Sequence, residues 1–307
     1  METGLVIKST GSWLTVRKED GSVISCKIKG SFRIRGIRNT NPVAVGDYVH
    51  LLIDGDHGII REIDPRKNYI IRKSSKLSKD TQIIAANIDQ AFLVVTLIFP
   101  KISTEFIDRF LVTAEAYRIP SIIIFNKTDL YDEEKTKELQ KVKSVYEGAG
   151  YKSINISAVD GTNLEKIKDL MKNKISLIAG QSGVGKSTIL NAIDSNLNLR
   201  TEIISKSHKT GKHTTSYAEM HFLNFGGSVI DTPGIKGFGL VDFEQEEIYH
   251  YFPEIFKASK NCEYNNCNHT HEMNCAVKKS LEKGLISETR YRNYIKILED
   301  KGKKYRG

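Results

Sequence analysis

The stretch Gly180-Gln181-Ser182-Gly183-Val184-Gly185-Lys186-Ser187 constrains this chain more than any other. It follows an apolar run at 175–179 directly, and a G-x-x-x-x-G-K-[ST] loop works only between a buried strand and the helix that starts at its Lys. The glycines let backbone N–H groups close around two phosphates, and the helix points its positive end at the same anion. Lys186 then places a point charge on the β- and γ-phosphates. Ser187 offers a hydroxyl to Mg²⁺, with Thr188 beside it in the first helical turn. The chain must therefore contain a layered α/β domain with a parallel sheet.

The surrounding sequence agrees. Continuous apolar runs at 91–98, 121–125, 153–156 and 175–179 alternate with helical stretches at 105–117, 132–147 and 163–172, the last opened by Thr162 as cap. Residues 217–224 and 228–230, joined at Gly226-Gly227, predict a hairpin entering the same sheet. With 307 residues the chain has room for more than this domain. Short β-rich runs at 5–7, 13–16, 23–28, 48–53 and 58–60 predict a five-stranded OB-type barrel. Asp20-Gly21 predicts a two-residue hairpin within it. The segment 64–80, rich in Lys and Arg, reads as a basic connection. Beyond residue 243 the tail is helical with a cysteine-containing interruption. The expected domains are a barrel at 1–72, a nucleotide domain at 80–240 and a metal-binding helical domain at 243–307.

Charge refines this division. Residues 1–80 hold 15 basic and 9 acidic side chains, residues 81–256 hold 19 and 22, and residues 257–307 hold 12 and 6. Basic ends around a mildly acidic centre fit a polyanion partner, because phosphate neutralisation is independent of sequence. Arg33 and Arg35 lie on one side of an extended segment suited to phosphate contact. The uncharged run 90–100 is about half of what a membrane crossing needs, and the first residues do not read as a secretory leader. A cytoplasmic protein is expected.

Two further sets of residues carry chemistry. Asn126-Lys127-Thr128-Asp129 follows a strand, and a carboxylate there accepts hydrogen bonds from guanine N1–H and the 2-amino group, a donor pair adenine lacks. Ser157-Ala158 ends another strand and supplies backbone support for the base. Asp231-Thr232-Pro233-Gly234 offers a carboxylate behind Mg²⁺ and a Gly234 N–H near the γ-phosphate. Residues 206–216 form a candidate switch in which Thr214 or Thr215 completes the Mg²⁺ shell. Ile235 stands where many regulatory GTPases carry a water-orienting Gln, which leaves His213 as the candidate for that role. In the tail, Cys262, Cys267, His269 and Cys275 supply three thiolates and an imidazole, the donor set of a closed tetrahedral Zn²⁺ site, with His271 as a competing ligand. Tyr291, Tyr294, Ile295 and Leu298 fall at helical spacing as packing residues. Lys278, Lys279, Lys283, Arg290, Arg292 and Lys296 are expected to be solvated.

The order of these motifs is distinctive. Ras-like GTPases run phosphate loop, switch threonine, D-x-x-G, N-K-x-D, S-A; this chain places N-K-T-D and S-A before the phosphate loop and is circularly permuted. A parallel sheet tolerates that, since each ligand loop stays at a strand's carboxyl end. A permuted GTPase domain between a β-barrel and a Cys/His cluster resembles the RsgA (YjeQ) family of small-ribosomal-subunit biogenesis GTPases. The resemblance implies GTP binding and hydrolysis, slow alone and stimulated by the small subunit, in late subunit maturation. It also implies contact with rRNA through a monomer, one structural zinc ion of matching spacing, and a role for His213. The rival readings are a nucleic-acid-linked ATPase or kinase, against which Asp129 stands, and a non-catalytic adaptor, against which Lys186, Ser187 and Asp231 stand.

Overall fold

The computed structural model describes residues 1–10, 13–28, 42–73, 81–199, 218–231 and 244–304. Arg33, Arg35, the 206–216 segment with His213, Thr214 and Thr215, and the residues Thr232 to Ile235 lie outside these.

Five strands, β1 (Glu2–Ser9), β2 (Leu14–Lys18), β3 (Val23–Ile28), β4 (Tyr48–Asp54) and β5 (His57–Ile63), run in the order β1-β2-β3-β5-β4. β4 pairs back onto β1, which closes the barrel, and β3 lies parallel to β5. Alternation along the strands turns Val6, Leu14, Val16, Cys26, Val49, Leu51 and Ile60 inward to form the barrel core. Residues 19–22 connect β2 to β3, and the Lys18–Ser22 pair closes a three-residue turn at 19–21, where the sequence predicted two. Gly21 N–H donates to Lys18 C=O at 3.0 Å and Lys18 N–H to Ser22 C=O at 2.8 Å. Gly21 takes φ +83, the left-handed position that ends a three-residue turn.

The segment expected as a plain connection contains β6 (Tyr69–Lys73), paired antiparallel with β7 (Thr81–Ala86). Ile70 enters the central core and Ile71 a neighbouring cluster with Ala44 and Ile83. Two apolar residues among cations carry no periodicity, so only the pairing with β7 reveals the strand. The loop entering β4 docks beside this ribbon, with Val45 bridging Ala85 and sharing the central core. Arg66 Nη2 ties that loop down by donating to the buried Asp47 carboxylate and to Pro42 C=O, both at 2.6 Å.

The central domain runs β8 (Gln90–Val95), α1 (Thr104–Ala116), β9 (Ser121–Phe125), α2 (Glu133–Gly148), β10 (Lys152–Asn155), α3 (Leu164–Met171), β11 (Ile175–Ala179), α4 (Lys186–Ile193), β12 (Glu219–Phe222) and β13 (Ser228–Asp231). Its strand order is β10-β9-β8-β11-β13-β12, parallel except for β12, which forms the expected hairpin with β13. All six residues of β8 are buried, as a central strand covered on both faces requires. Ser103 and Asp132 cap α1 and α2 with their side chains. α3 begins instead at Asn163 in the left-handed region, its amide donating to Asn155 C=O at 2.9 Å, so Thr162 is not its cap. The free edge of β12 receives β1 of the barrel, with Lys8 paired to Glu219 at 3.0 Å and Arg17 stacked 4.1 Å from the Phe222 ring centroid. Barrel and central sheet are one continuous surface of hydrogen bonds.

The tail holds α5 (Pro253–Ser259), α6 (Ala276–Glu282) and α7 (Glu288–Lys304). Ile248, Phe252, Ile255, Val277, Ile286, Tyr294, Ile297 and Leu298 pack together with Val112 of α1, so this small core borrows from the central domain. Arg290, expected to be solvated, is fully buried. Its guanidinium donates to Asp108 of α1 at 2.6 Å and to both Glu254 oxygens at 2.7 and 2.9 Å. Asn293 donates to the second Asp108 oxygen at 2.6 Å. The guanidinium also lies 4.7 Å from the Phe252 ring centroid. Burial works against the guanidinium charge, yet Asp108 and Glu254 hold its pKa well above the usual value.

This ion cluster joins the tail to the central domain, and breaking a buried pair leaves an uncompensated charge. Arg290→Met should lower unfolding stability by about 3–5 kcal/mol in a denaturant titration. Arg290→Lys should recover little of it, because an ammonium cannot span two carboxylates as the planar fork does.

Candidate functional site

The carboxyl ends of β9, β10, β11 and β13 lie along one edge of the sheet, which is where a doubly wound fold binds ligands. β8 and β11 are neighbours, and the chain leaves them in opposite directions, so the phosphate loop after β11 opens at the point where the strand order reverses. Residues 54 positions apart in sequence, Asn126 and Gly180, thus leave adjacent regions of one edge.

Asn126 is the hinge of the site. It is buried, and its side-chain amide donates to Val184 C=O in the phosphate loop at 2.9 Å while its oxygen accepts Ala158 N–H at 3.3 Å. One side chain therefore joins the three loops that the sequence assigned to base and phosphates. Lys127 takes the left-handed conformation, φ +63, and its ammonium donates to Gly183 C=O at 2.7 Å and to Phe99 C=O at 2.5 Å. Burial lowers its pKa. Thr128 bonds Ile156 C=O through its hydroxyl at 2.9 Å, and Asp129 beyond it is exposed on a short 3₁₀ turn. Ser157 is fully buried, and its hydroxyl accepts the N–H groups of Val159 and Asp160, each at 3.3 Å, shaping the turn that presents Ala158.

Gly185 has φ +98, and a Cβ there would stand 2.4 Å from the Asn126 amide nitrogen. Glycine is thus required both by the backbone and by the close approach of the base loop. Gly180, Gln181, Ser182, Gly183 and Val184 complete the turn into α4, whose first residues are Lys186, Ser187 and Thr188. Lys186 donates to Gly180 C=O at 2.9 Å and Gln181 C=O at 3.1 Å, so the ammonium lies over the loop where an anion's charge would collect. Asp231 ends β13 beside Ile178 of β11. Burial pushes its carboxyl up, while Lys186 and His221 pull the other way. Its coupling to Lys186 relates this carboxyl to the start of α4. The candidate switch residues His213 and Thr215, and Gly234, lie outside the described residues.

The second cluster stands in the tail. Cys262, Cys267, His269 and Cys275 each direct a ligand atom into one space, all within 4.8 Å of one another. His269 Nδ1 lies 3.6 Å from Cys262 Sγ and 3.5 Å from Cys275 Sγ, and the two sulfurs are 3.9 Å apart. Bond lengths of about 2.3 Å to sulfur and 2.0 Å to nitrogen in a tetrahedron give edges of about 3.8 and 3.5 Å, so the donors fit a tetrahedral metal ion. His271 is exposed and bonds the Thr270 hydroxyl at 2.9 Å, outside the cluster. Burial pushes the Cys267 thiol up to about 12. Around the cluster, Tyr291 donates to His269 C=O at 2.6 Å, Tyr294 donates to Asn268 C=O at 2.7 Å, and Glu272 accepts the N–H groups of Asn268 and Thr270 at 2.7 and 2.8 Å. Cys26 is far from all of this, buried in the barrel, its thiol pushed up to about 11 by burial.

Sequence reasoning missed Tyr131 and Phe99 at the nucleotide site and Tyr291 and Tyr294 as supports of the metal cluster. Their contacts end on backbone groups, which leave no residue-type pattern to detect.

The family model described as RsgA GTPase matches residues 63–241, and that of the RsgA N-terminal domain matches residues 3–60. The small ribosomal subunit biogenesis GTPase RsgA of Phocaeicola vulgatus is 53% identical over 305 residues, covering 99% of this chain and 98% of that protein. Its counterpart from Flavobacterium psychrophilum is 51% identical, covering 99% and 94%. Among solved structures, YjeQ from Thermotoga maritima superposes with a TM-score of 0.79 at 37% identity, covering 97% and 98% of the two chains. YloQ, described as a circularly permuted GTPase, gives 0.74 at 32% identity, covering 98% and 94%. With an N-K-T-D loop preceding the phosphate loop in permuted order, a Cys₃His cluster in the tail, and matches spanning the chain, this protein belongs to the RsgA GTPase family.

Proposed function

We propose that this protein binds the small ribosomal subunit and assists its late maturation, hydrolysing GTP to GDP and phosphate on the subunit. The observation that carries the reading is the bond from Asn126 to Val184 C=O, which joins the base-reading loop to the phosphate loop across the permuted chain.

The residues divide the work by position. Asp129 accepts the guanine N1–H and 2-amino protons. The Lys127 stem would lie along the purine face, and the Ser157-Ala158 turn, held by Asn126, would back the base. Backbone N–H groups of 180–188 and the Lys186 ammonium hold the phosphates. Ser187 and Thr215 would ligate Mg²⁺, with Asp231 behind its water shell; that ion would neutralise charge between the β- and γ-phosphates. His213 would orient the attacking water, and Gly234 N–H would donate to the transferred group. The bond that breaks joins the γ-phosphorus to the β–γ bridging oxygen. Phosphoryl transfer rests on positioning and charge stabilisation, so turnover is slow until the subunit orders the switch.

Cys262, Cys267, His269 and Cys275 would hold one structural zinc ion, since the soft three-thiolate, one-imidazole set leaves no open position. The basic barrel and tail suit rRNA contact by a monomer. The D-x-x-G segment leads within a few residues into the tail, so loss of the γ-phosphate shifts the tail on the RNA. Among the described residues no helix is long and apolar enough to cross a membrane. A role in ribosome assembly supports a cytoplasmic protein.

Three outcomes follow. GTP turnover should rise many-fold when purified small subunits are added, and subunit affinity should differ between GTP-analogue and GDP states; equal values in both assays would remove the reading. Asp129→Asn should weaken GTP binding about 100-fold, two charge-assisted hydrogen bonds being lost, and shift preference to xanthosine triphosphate. Cys275→Ser should lower bound zinc measured by elemental analysis and melt the tail at a lower temperature, because a structural metal supplies folding energy.

A further inference from the structure

Behind the base-reading loop lies a contact that none of the motifs includes. Tyr131 follows the 3₁₀ turn that carries Asp129. Its hydroxyl accepts the N–H of Leu97 at 2.9 Å and donates to the C=O of Asn126 at 3.1 Å. The hydroxyl therefore sits between two loops, 97–103 after β8 and 126–131 after β9. The first loop is itself stiffened, since buried Thr96 donates its hydroxyl to Pro100 C=O at 2.5 Å. Lys101 on that loop pairs with Glu138 of α2 at 3.0 Å. The same loop meets the base-reading loop a second time, where Phe99 C=O accepts the Lys127 ammonium.

These contacts act on one peptide unit. The carbonyl that Tyr131 holds belongs to the Asn126–Lys127 peptide, and Lys127 is a non-glycine residue in the left-handed region, φ +63. That conformation turns the chain so that Asn126 faces the phosphate loop while Asp129 stands at the exposed mouth. Left-handed backbone is costly for a residue with a Cβ and persists where its surroundings hold it. Burial raises the Tyr131 pKa, which keeps the hydroxyl protonated and able to donate.

We infer that Tyr131 is a positioning residue for guanine selectivity: its hydroxyl clamps the base-reading loop against the loop after β8 and so sets the placement of the Asp129 carboxylate. This deepens the assignment of Asp129 to guanine and rests on it. The clamp bears most directly on the base end of the site. The phosphate loop feels it only through the Asn126 and Lys127 side chains, which bond Val184 and Gly183 C=O.

The test is a set of competition titrations on the full chain with GTP, inosine triphosphate and inorganic tripolyphosphate, in wild type and Tyr131→Phe. The ring and its packing are kept, and only the hydroxyl is lost. GTP affinity should fall about fivefold, the worth of the one bond, of the two that the hydroxyl makes, that holds the Asn126 carbonyl. The preference for GTP over inosine triphosphate, which lacks the 2-amino group, should narrow, and tripolyphosphate affinity should fall by less than GTP affinity. Thr96→Val, which removes the bond stiffening the partner loop, should narrow the same preference to a smaller degree. Unchanged GTP affinity and an unchanged preference in both variants would overturn the clamp while leaving the guanine assignment intact. Equal losses for GTP and tripolyphosphate would also overturn it, reducing Tyr131 to general support. A wild-type protein that binds GTP and inosine triphosphate equally would overturn the guanine assignment and the clamp together.

Discussion

The hydrogen bond from the Asn126 side chain to Val184 C=O is the contact on which the arrangement of the candidate nucleotide site depends. It joins loops separated by 58 residues, and the absence of a Cβ at Gly185 lets the two backbones approach closely enough to make it. The parallel sheet makes that meeting independent of chain order. Whichever connection is cut, β9 and β11 deliver their following loops to the same edge, two strands apart. Permutation is therefore neutral for the site and consequential for its surroundings, because it changes which segments enter and leave the domain.

Those entries are stiff. The barrel is fastened to the central domain twice, through β1 on the edge of β12 and through Val45 beside β7, with the buried Arg66–Asp47 pair holding the second contact. The tail is fastened through Arg290, whose single guanidinium serves carboxylates from α1 and α5. A fully buried arginine shared between two modules specifies their relative placement, since any slippage would strand a charge in a medium that solvates it poorly. The tail's own core includes Val112 from α1, so the cysteine-held module is completed by the domain it docks on.

The clearest lesson about legibility comes from pairs of residues that look alike in sequence. Arg290 and Arg292 stand two apart on α7 in the same basic stretch, yet one is fully buried and the other exposed. Their fates differ because α7 turns one face to Asp108 and Glu254, partners far away in the chain. Ile70 and Ile71 gave no strand signal because β6 depends on β7 for its pairing and on the central core for its burial. Thr162 looked like a helix cap, but the left-handed Asn163 starts α3 instead. The barrel strands, the buried parallel strands, the hairpin of β12 and β13 and the cysteine and histidine quartet were all legible. Each of these is specified by a local period or by donor chemistry.

What this chain's residues determine by themselves is therefore the local chemistry: a phosphate loop after a strand, an N-K-T-D loop after another, four soft ligands, and alternation suited to a small barrel. Tertiary structure alone decided which backbone carbonyls Asn126, Lys127 and Tyr131 would reach, which arginine would be buried, and how the barrel would join the sheet. The physical reason is that backbone acceptors are identical at every position and burial depends on remote partners, so neither leaves a mark in the order of side chains until the chain has folded.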